Sequence, residues 1–257
     1  MIALLSPSKT QDFETDYSAV KSTQLRFKDQ SLELIELLKQ YSPDEISKLM
    51  KLSQNLSELN TDRYSSYQKD FRQAETQQAL MAFIGDVYTY IEVHQYDQKD
   101  FEFAQDHVRI ISGLYGLVRP LDRIQTYRLE MKTALKNDKG KNLYAFWGSE
   151  LREILEKDLS QQGDQVIVNL ASMEYSKALQ LSQIHAEVVT PVFKEKKSGK
   201  ELSIIALYAK EARGMMTNFI IKNRLQKPEQ LKAFDQTGYV YQEELSENGE
   251  MVFVRGQ

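Results

Sequence analysis

The 257-residue chain is 41% apolar and 27% charged, with 11 Gly, 5 Pro and no Cys. This is the composition of a globular protein and excludes collagen, coiled-coil and disordered classes; without cysteine there is no disulfide, thiolate zinc site, iron–sulfur ligation or thiol nucleophile. The formal net charge of −4 argues against nucleic acid only if the charge is evenly spread.

In chain order, Ile2 to Leu5 is short, aliphatic and followed by Ser-Pro, which predicts a buried strand running into a loop. The spacing of Leu32, Ile35 and Leu38 predicts a helix within 25–39. Ser42-Pro43-Asp44-Glu45 is a helix start, with a Ser cap, Pro at the first helical position and a capping-box Glu. Helical spacing continues through Leu49, Leu52, Leu56 and Leu59, with a break near Ser53. Residues 77–91 and 99–112 read as two further helices, the second capped by Asp97. The first 112 residues are thus expected to be mostly helical.

The second half changes character. A helix over 146–159 ends at Gln161-Gln162-Gly163-Asp164 and precedes a buried strand over 166–170. Residues 186–194 and 202–208 read as a hairpin across Lys-Lys-Ser-Gly-Lys, 211–225 as a helix, and 239–243 with 251–255 as a second hairpin around Asn-Gly. The expected fold is α+β: one compact unit over 1–257, with a mixed sheet of chain-distant strands surrounded by helices. If it divides at all, it divides into a helical lobe 1–112 and a mixed lobe 113–257. The apolar start is too short and lacks the basic residues of a signal peptide, and no apolar run is long enough to span a membrane, so a cytoplasmic location is expected.

The net charge conceals two basic windows. Residues 109–152 hold nine Lys/Arg against four acids, and 194–227 hold nine against three, which leaves −15 for the rest of the chain. Folded together, the windows would form a positive cleft on an acidic protein; scattered over helix surfaces, they would form nothing.

Four segments have residues suited to a site. Ser6-Pro7-Ser8-Lys9-Thr10 puts hydroxyls and an amine at a strand end, where α/β folds bind ligands, but it lacks the glycines of a P-loop. Ser112-Gly113-Leu114-Tyr115-Gly116, followed by Arg119-Pro120, reads as a tight apolar hairpin offering backbone N–H groups to a phosphate, or equally as a glycine C-cap and a packed loop. Lys210 and Arg213 share a helix face suited to phosphate or carboxylate. Asn169 to Tyr175 brings Ser172 and Glu174 to another strand exit, where a Ser cap is the simpler reading. His94, His107 and His185 lack metal-ligand spacing, and neither a nucleophile elbow nor a dinucleotide fingerprint is present. Trp147 is expected in the core. No metal or cofactor is expected.

Taken in order, Leu5 to Thr10, Phe83 to Tyr88, Ser112 to Asp122, Tyr127 to Met131, Asn169 to Ser172 with Glu174-Tyr175, and Tyr208 to Gly214 resemble the YaaA peroxide-stress family of bacterial cytoplasmic proteins. The resemblance implies a protein that limits free iron under hydrogen peroxide stress and so protects DNA and protein. It also implies a positively charged cleft and a helix-hairpin-helix-like element that binds DNA with little sequence preference. In that element the two glycines usually stand two apart; Gly113 and Gly116 stand three apart. No catalytic assignment comes with the resemblance.

The residues expected to bind DNA phosphates are therefore Ser6, Lys9, Gly113, Tyr115, Gly116, Arg119, Arg128, Lys210 and Arg213. The alternative is an enzyme acting on a small anionic or nucleotide-like substrate in the same cleft, with Glu130 or Glu174 as acid/base. A pocket of a few hundred Å3 favours the second reading and a long groove the first.

Overall fold

In the computed structural model, residues 1–163, 165–196, 199 and 201–256 are described. Its seven-stranded sheet is built from β1 (Ile2–Leu5), β2 (Val108–Ser112), β3 (Gly116–Val118), β4 (Val166–Asn169), β5 (Glu187–Glu195), β6 (Val240–Tyr241) and β7 (Glu250–Arg255), ordered β6-β7-β5-β4-β1-β2-β3. The five central strands run parallel, and β3 and β6 are antiparallel edges. β1 lies at the centre, with Ala3 opposite Val108 on one side and Val168 on the other. All four of its residues are buried, as a strand must be when neighbours flank it and helices cover both faces. The fold is α+β with a mixed sheet of chain-distant strands, as expected.

Around the sheet lie α1 (Lys28–Leu38), α2 (Pro43–Met50), α3 (Gln54–Ser66), α4 (Gln98–His107), α5 (Glu150–Gln162) and α6 (Ala206–Lys222). Ser42 and Glu45 form the expected capping box, and Ser53 opens α3 at the expected break. Asp97 caps α4. The expected helix over 146–159 is two pieces, 143–147 and α5, because Gly148 takes a positive φ of 50° between them. Trp147 is in the core, its Nε1–H donating to the Gly113 carbonyl at 3.0 Å.

Three expectations fail for identifiable reasons. The helix expected over 99–112 stops at His107, and Val108 to Ser112 continue as β2: the β-branched run Val-Arg-Ile-Ile fills a central strand rather than a helical stripe. The helix expected over 77–91 is a single turn, 79–82, between short pairings of Gln77–Gln78 with Arg123–Ile124 and of Phe83–Ile84 with Thr10–Gln11. Residues 79 to 83 are all buried, so that apolar run is core on every side instead of one helix face. The strand expected over 202–208 is reduced to one bridge, Ser203 to Glu195, before α6 begins. Lys197, Ser198 and Lys200 of its turn lie outside the described residues. The second hairpin forms, pairing Val240 with Val254 and Tyr241 with Phe253.

Candidate functional site

Parallel strands share one carboxyl edge, and at that edge β1, β4 and the start of α6 meet the loop Gly85–Tyr88. Ser6, Ser8, Lys9, Thr10, Asp86, Glu130, Ser172, Glu174, Lys210 and Arg213 line a pocket of about 420 Å3 there. The two strand exits are tied together: the Ser6 hydroxyl accepts from the Ser172 amide at 2.9 Å and donates to its hydroxyl at 3.3 Å. Tyr88, buried beneath, donates to the Ser6 carbonyl at 2.8 Å. α6 is pressed onto the loop because residue 214 is glycine; a Cβ there would stand 2.0 Å from the Val87 carbonyl oxygen. That contact sets Lys210 and Arg213 over the pocket.

The charges divide into paired and unpaired groups. Lys9 reaches Glu130 at 3.1 Å, Arg128 reaches it at 3.1 Å and Lys132 at 3.3 Å, while Lys132 also approaches Glu174 at 3.5 Å. Burial would raise the Glu130 pKa, but the Lys9, Lys132 and Arg128 hydrogen bonds more than offset it and hold the carboxyl below its usual value. Lys132 is raised, chiefly by Glu174. Lys210 pairs with Asp86 at 2.8 Å. Arg213 differs from all of these. Burial alone moves its pKa, downward, with no carboxylate to compensate among the described residues. Its guanidinium remains charged and lines the pocket without an anion beside it.

Of the residues singled out in the sequence, Ser6, Lys9, Lys210 and Arg213 meet at this pocket with Glu130 and Glu174, and Arg128 stands behind Glu130. The others do not. Arg119 is spent on fully buried Asp122 at 2.8 Å and on the Gln24 carbonyl at 3.0 Å. Gly113 to Gly116 are a buried β-hairpin turn between β2 and β3, so the helix-hairpin-helix-like element is not what these residues form. The backbone amides of Leu114 and Tyr115 donate to the Ser112 hydroxyl, and the Tyr115 hydroxyl is engaged by Tyr67 and by both backbone groups of Gln125. A Cβ on Gly113 would lie 2.3 Å from the Leu129 carbonyl oxygen, which explains glycine there by packing. Asp86 and Lys132 are not among the expected site residues, although Asp86 lies within the Phe83 to Tyr88 segment that carries the resemblance, and Ser8 enters only through its strand-end segment.

Residues 1–245 match the family described as Peroxide stress protein YaaA. The chain belongs to the YaaA peroxide-stress family. It is also 48% identical over 257 residues to a UPF0246 protein of Saccharophagus degradans, covering 100% of both chains. Within the YaaA family reading, a role in the peroxide stress response follows for this chain, and no helix among its described residues is long and apolar enough to cross a membrane.

Proposed function

We propose that the protein acts in the cytoplasmic peroxide-stress response by binding a small phosphate-bearing anion in the pocket at the carboxyl edge of its sheet, and that limitation of free iron and protection of DNA follow from that binding. Arg213 carries the reading: its guanidinium lines the pocket, partly desolvated and with no carboxylate beside it among the described residues, where an anion would pair with it. The lining is balanced, with Lys9, Lys210 and Arg213 against Asp86, Glu130 and Glu174, and Arg128 and Lys132, paired with Glu130 from outside the lining, add positive charge next to it. The volume, about 420 Å3, suits a small ligand. Glu130 is held ionised by its three cations and Lys132 is held protonated, which supports binding over acid–base catalysis by these groups at neutral pH. Since Glu130 and Glu174 are engaged by cations, iron limitation is read as indirect.

Non-specific DNA binding is the second reading. It is favoured by the exposure of the Lys9, Lys132 and Lys210 side chains at the mouth, 57%, 63% and 52% respectively, within reach of a passing phosphate backbone. Calorimetric titration with inorganic phosphate and fluorescence anisotropy with a labelled duplex separate the two. The small-anion reading expects a saturable phosphate heat that is lost in Arg213→Met. The DNA reading expects duplex affinity that falls steeply with salt and is lost in a Lys210→Glu/Arg213→Glu double variant. No phosphate heat from the wild type overturns the first; salt-independent or variant-insensitive duplex binding overturns the second.

A further inference from the structure

The pocket is more than a cationic hole, and its carboxylates constrain the part of the ligand that is not phosphate. Glu130 and Glu174 both line it, on the side formed by the β1 and β4 exits, whereas Lys210 and Arg213 come from α6. A carboxylate offers about four acceptor positions. On Glu130, Oε1 receives Lys9 and Arg128 while Oε2 receives Lys132 alone. On Glu174, Oε1 receives the Lys132 amide at 3.2 Å and Oε2 has only the long 3.5 Å contact with the Lys132 ammonium. Acceptor capacity is left over on both. A bare anion seated against two carboxylates would meet repulsion and offer them no proton.

The remaining lining narrows the choice. Ser6, Ser8, Thr10 and Ser172 contribute hydroxyls, and the Ser8 hydroxyl already accepts from the Thr10 amide at 3.2 Å. The two aromatic residues, Tyr88 and Tyr175, are buried, so their rings offer no open face on which a nucleobase could stack. The pocket therefore offers cations to an anion and carboxylate and hydroxyl acceptors to hydroxyl donors, beside the apolar side chains of Pro7, Val87 and Leu170.

We infer that the ligand is a phosphorylated polyol or sugar, its phosphate on Arg213 and Lys210 and its hydroxyls donating to Glu130 and Glu174. This rests on the small-anion reading of the same site and adds the class of the ligand. The test compares inorganic phosphate, methyl phosphate and ribose 5-phosphate by calorimetry. Ribose 5-phosphate is expected to bind at least about tenfold more tightly than methyl phosphate, the size of one charge-assisted hydrogen bond. In Glu174→Gln that ratio is expected to fall toward one, because the amide turns part of the acceptor set into donors. If methyl phosphate and phosphate bind in an Arg213-dependent way but ribose 5-phosphate gains nothing, the polyol inference is overturned and the anion site stands. If the preference survives unchanged in Glu174→Gln and in Glu130→Gln, the hydroxyl assignment is overturned. If none of the three ligands binds, both readings fall together.

Discussion

Arg213 is where stability and function pull apart. Desolvating a guanidinium without a partner costs free energy in the unliganded protein, so Arg213→Met, which keeps an unbranched apolar stem and removes the charge, is expected to raise the melting temperature by a few degrees, corresponding to about 1 kcal/mol. The same substitution is expected to abolish anion binding. Thermal denaturation of the two forms checks the first half, and an unchanged or lower melting temperature would mean that the guanidinium is better solvated than its surroundings imply. Asp158 shows the opposite logic. It takes Arg26 at 2.8 Å and Arg109 at 2.6 Å in a buried triad, and Asp158→Asn would leave two buried cations uncompensated. A loss of about 3–5 kcal/mol in denaturant unfolding is expected, with no direct contact to the pocket. Two cations of the basic windows, Arg109 and Arg119, thus serve packing: Arg119 has its partner Asp122 three residues on, a local signal that Arg213 lacks, whereas the Asp158 partner of Arg109 is 49 positions away and is fixed only by the fold.

At the level of elements, glycines carry the close approaches. Gly214 lets α6 rest on the Gly85–Tyr90 segment, where a Cβ would meet the Val87 carbonyl oxygen at 2.0 Å and the Tyr90 Cβ at 3.0 Å. Gly214→Ala is expected to push α6 outward and weaken anion binding more than tenfold even where the protein still folds, since a displacement of about 1 Å at a binding group has that scale of effect; calorimetry on the folded variant measures it. Gly113→Ala, with its Cβ 2.3 Å from the Leu129 carbonyl oxygen and 3.2 Å from the Glu130 carbonyl carbon, is expected to destabilise the β2–β3 hairpin by a few kcal/mol. Denaturant unfolding of Gly113→Ala against wild type measures that loss. β1, β4, α2 and the second hairpin were legible because each has its own local signature: a closed aliphatic run, a capping box, an Asn-Gly turn. β2 and the 77–91 region were not. Their apolar residues fit a helical stripe as well as a buried run, and only the central position of β1, which gives β2 a partner, decides between the two.

Across the whole molecule, the sheet turns separated segments into one site. Parallel β1 and β4 deliver Ser6, Lys9, Ser172 and Glu174 to the same edge although more than 160 positions separate the two serines. The strand-end hydroxyls and the Lys210/Arg213 face were visible in the sequence. Their meeting was suggested by the basic windows but required the sheet order, and the Gly113–Gly116 turn shows how a motif read by resemblance can instead be packing. Acid stability follows from the same charges. Burial pulls the Asp158 pKa up, but Arg109 and Arg26 outweigh it and leave it below its usual value, and Glu130 is likewise held low by its cations. Folded pKa values below the unfolded ones mean that the unfolded chain binds more protons as pH falls. Stability from these groups is complete at neutral pH, begins to decline near pH 4.5 and is lost as the folded values are passed. Melting temperatures across pH 3–7 are expected to fall in that window, and by less in Asp158→Asn.

The central claim is that the peroxide-stress role of this family member runs through the anion pocket. Survival under hydrogen peroxide, measured in cells whose own copy of the gene is replaced by wild type or by Arg213→Met at equal abundance, tests it most directly. Arg213→Met, folded and at least as stable, is expected to protect no better than deletion. Full protection by Arg213→Met would contradict it.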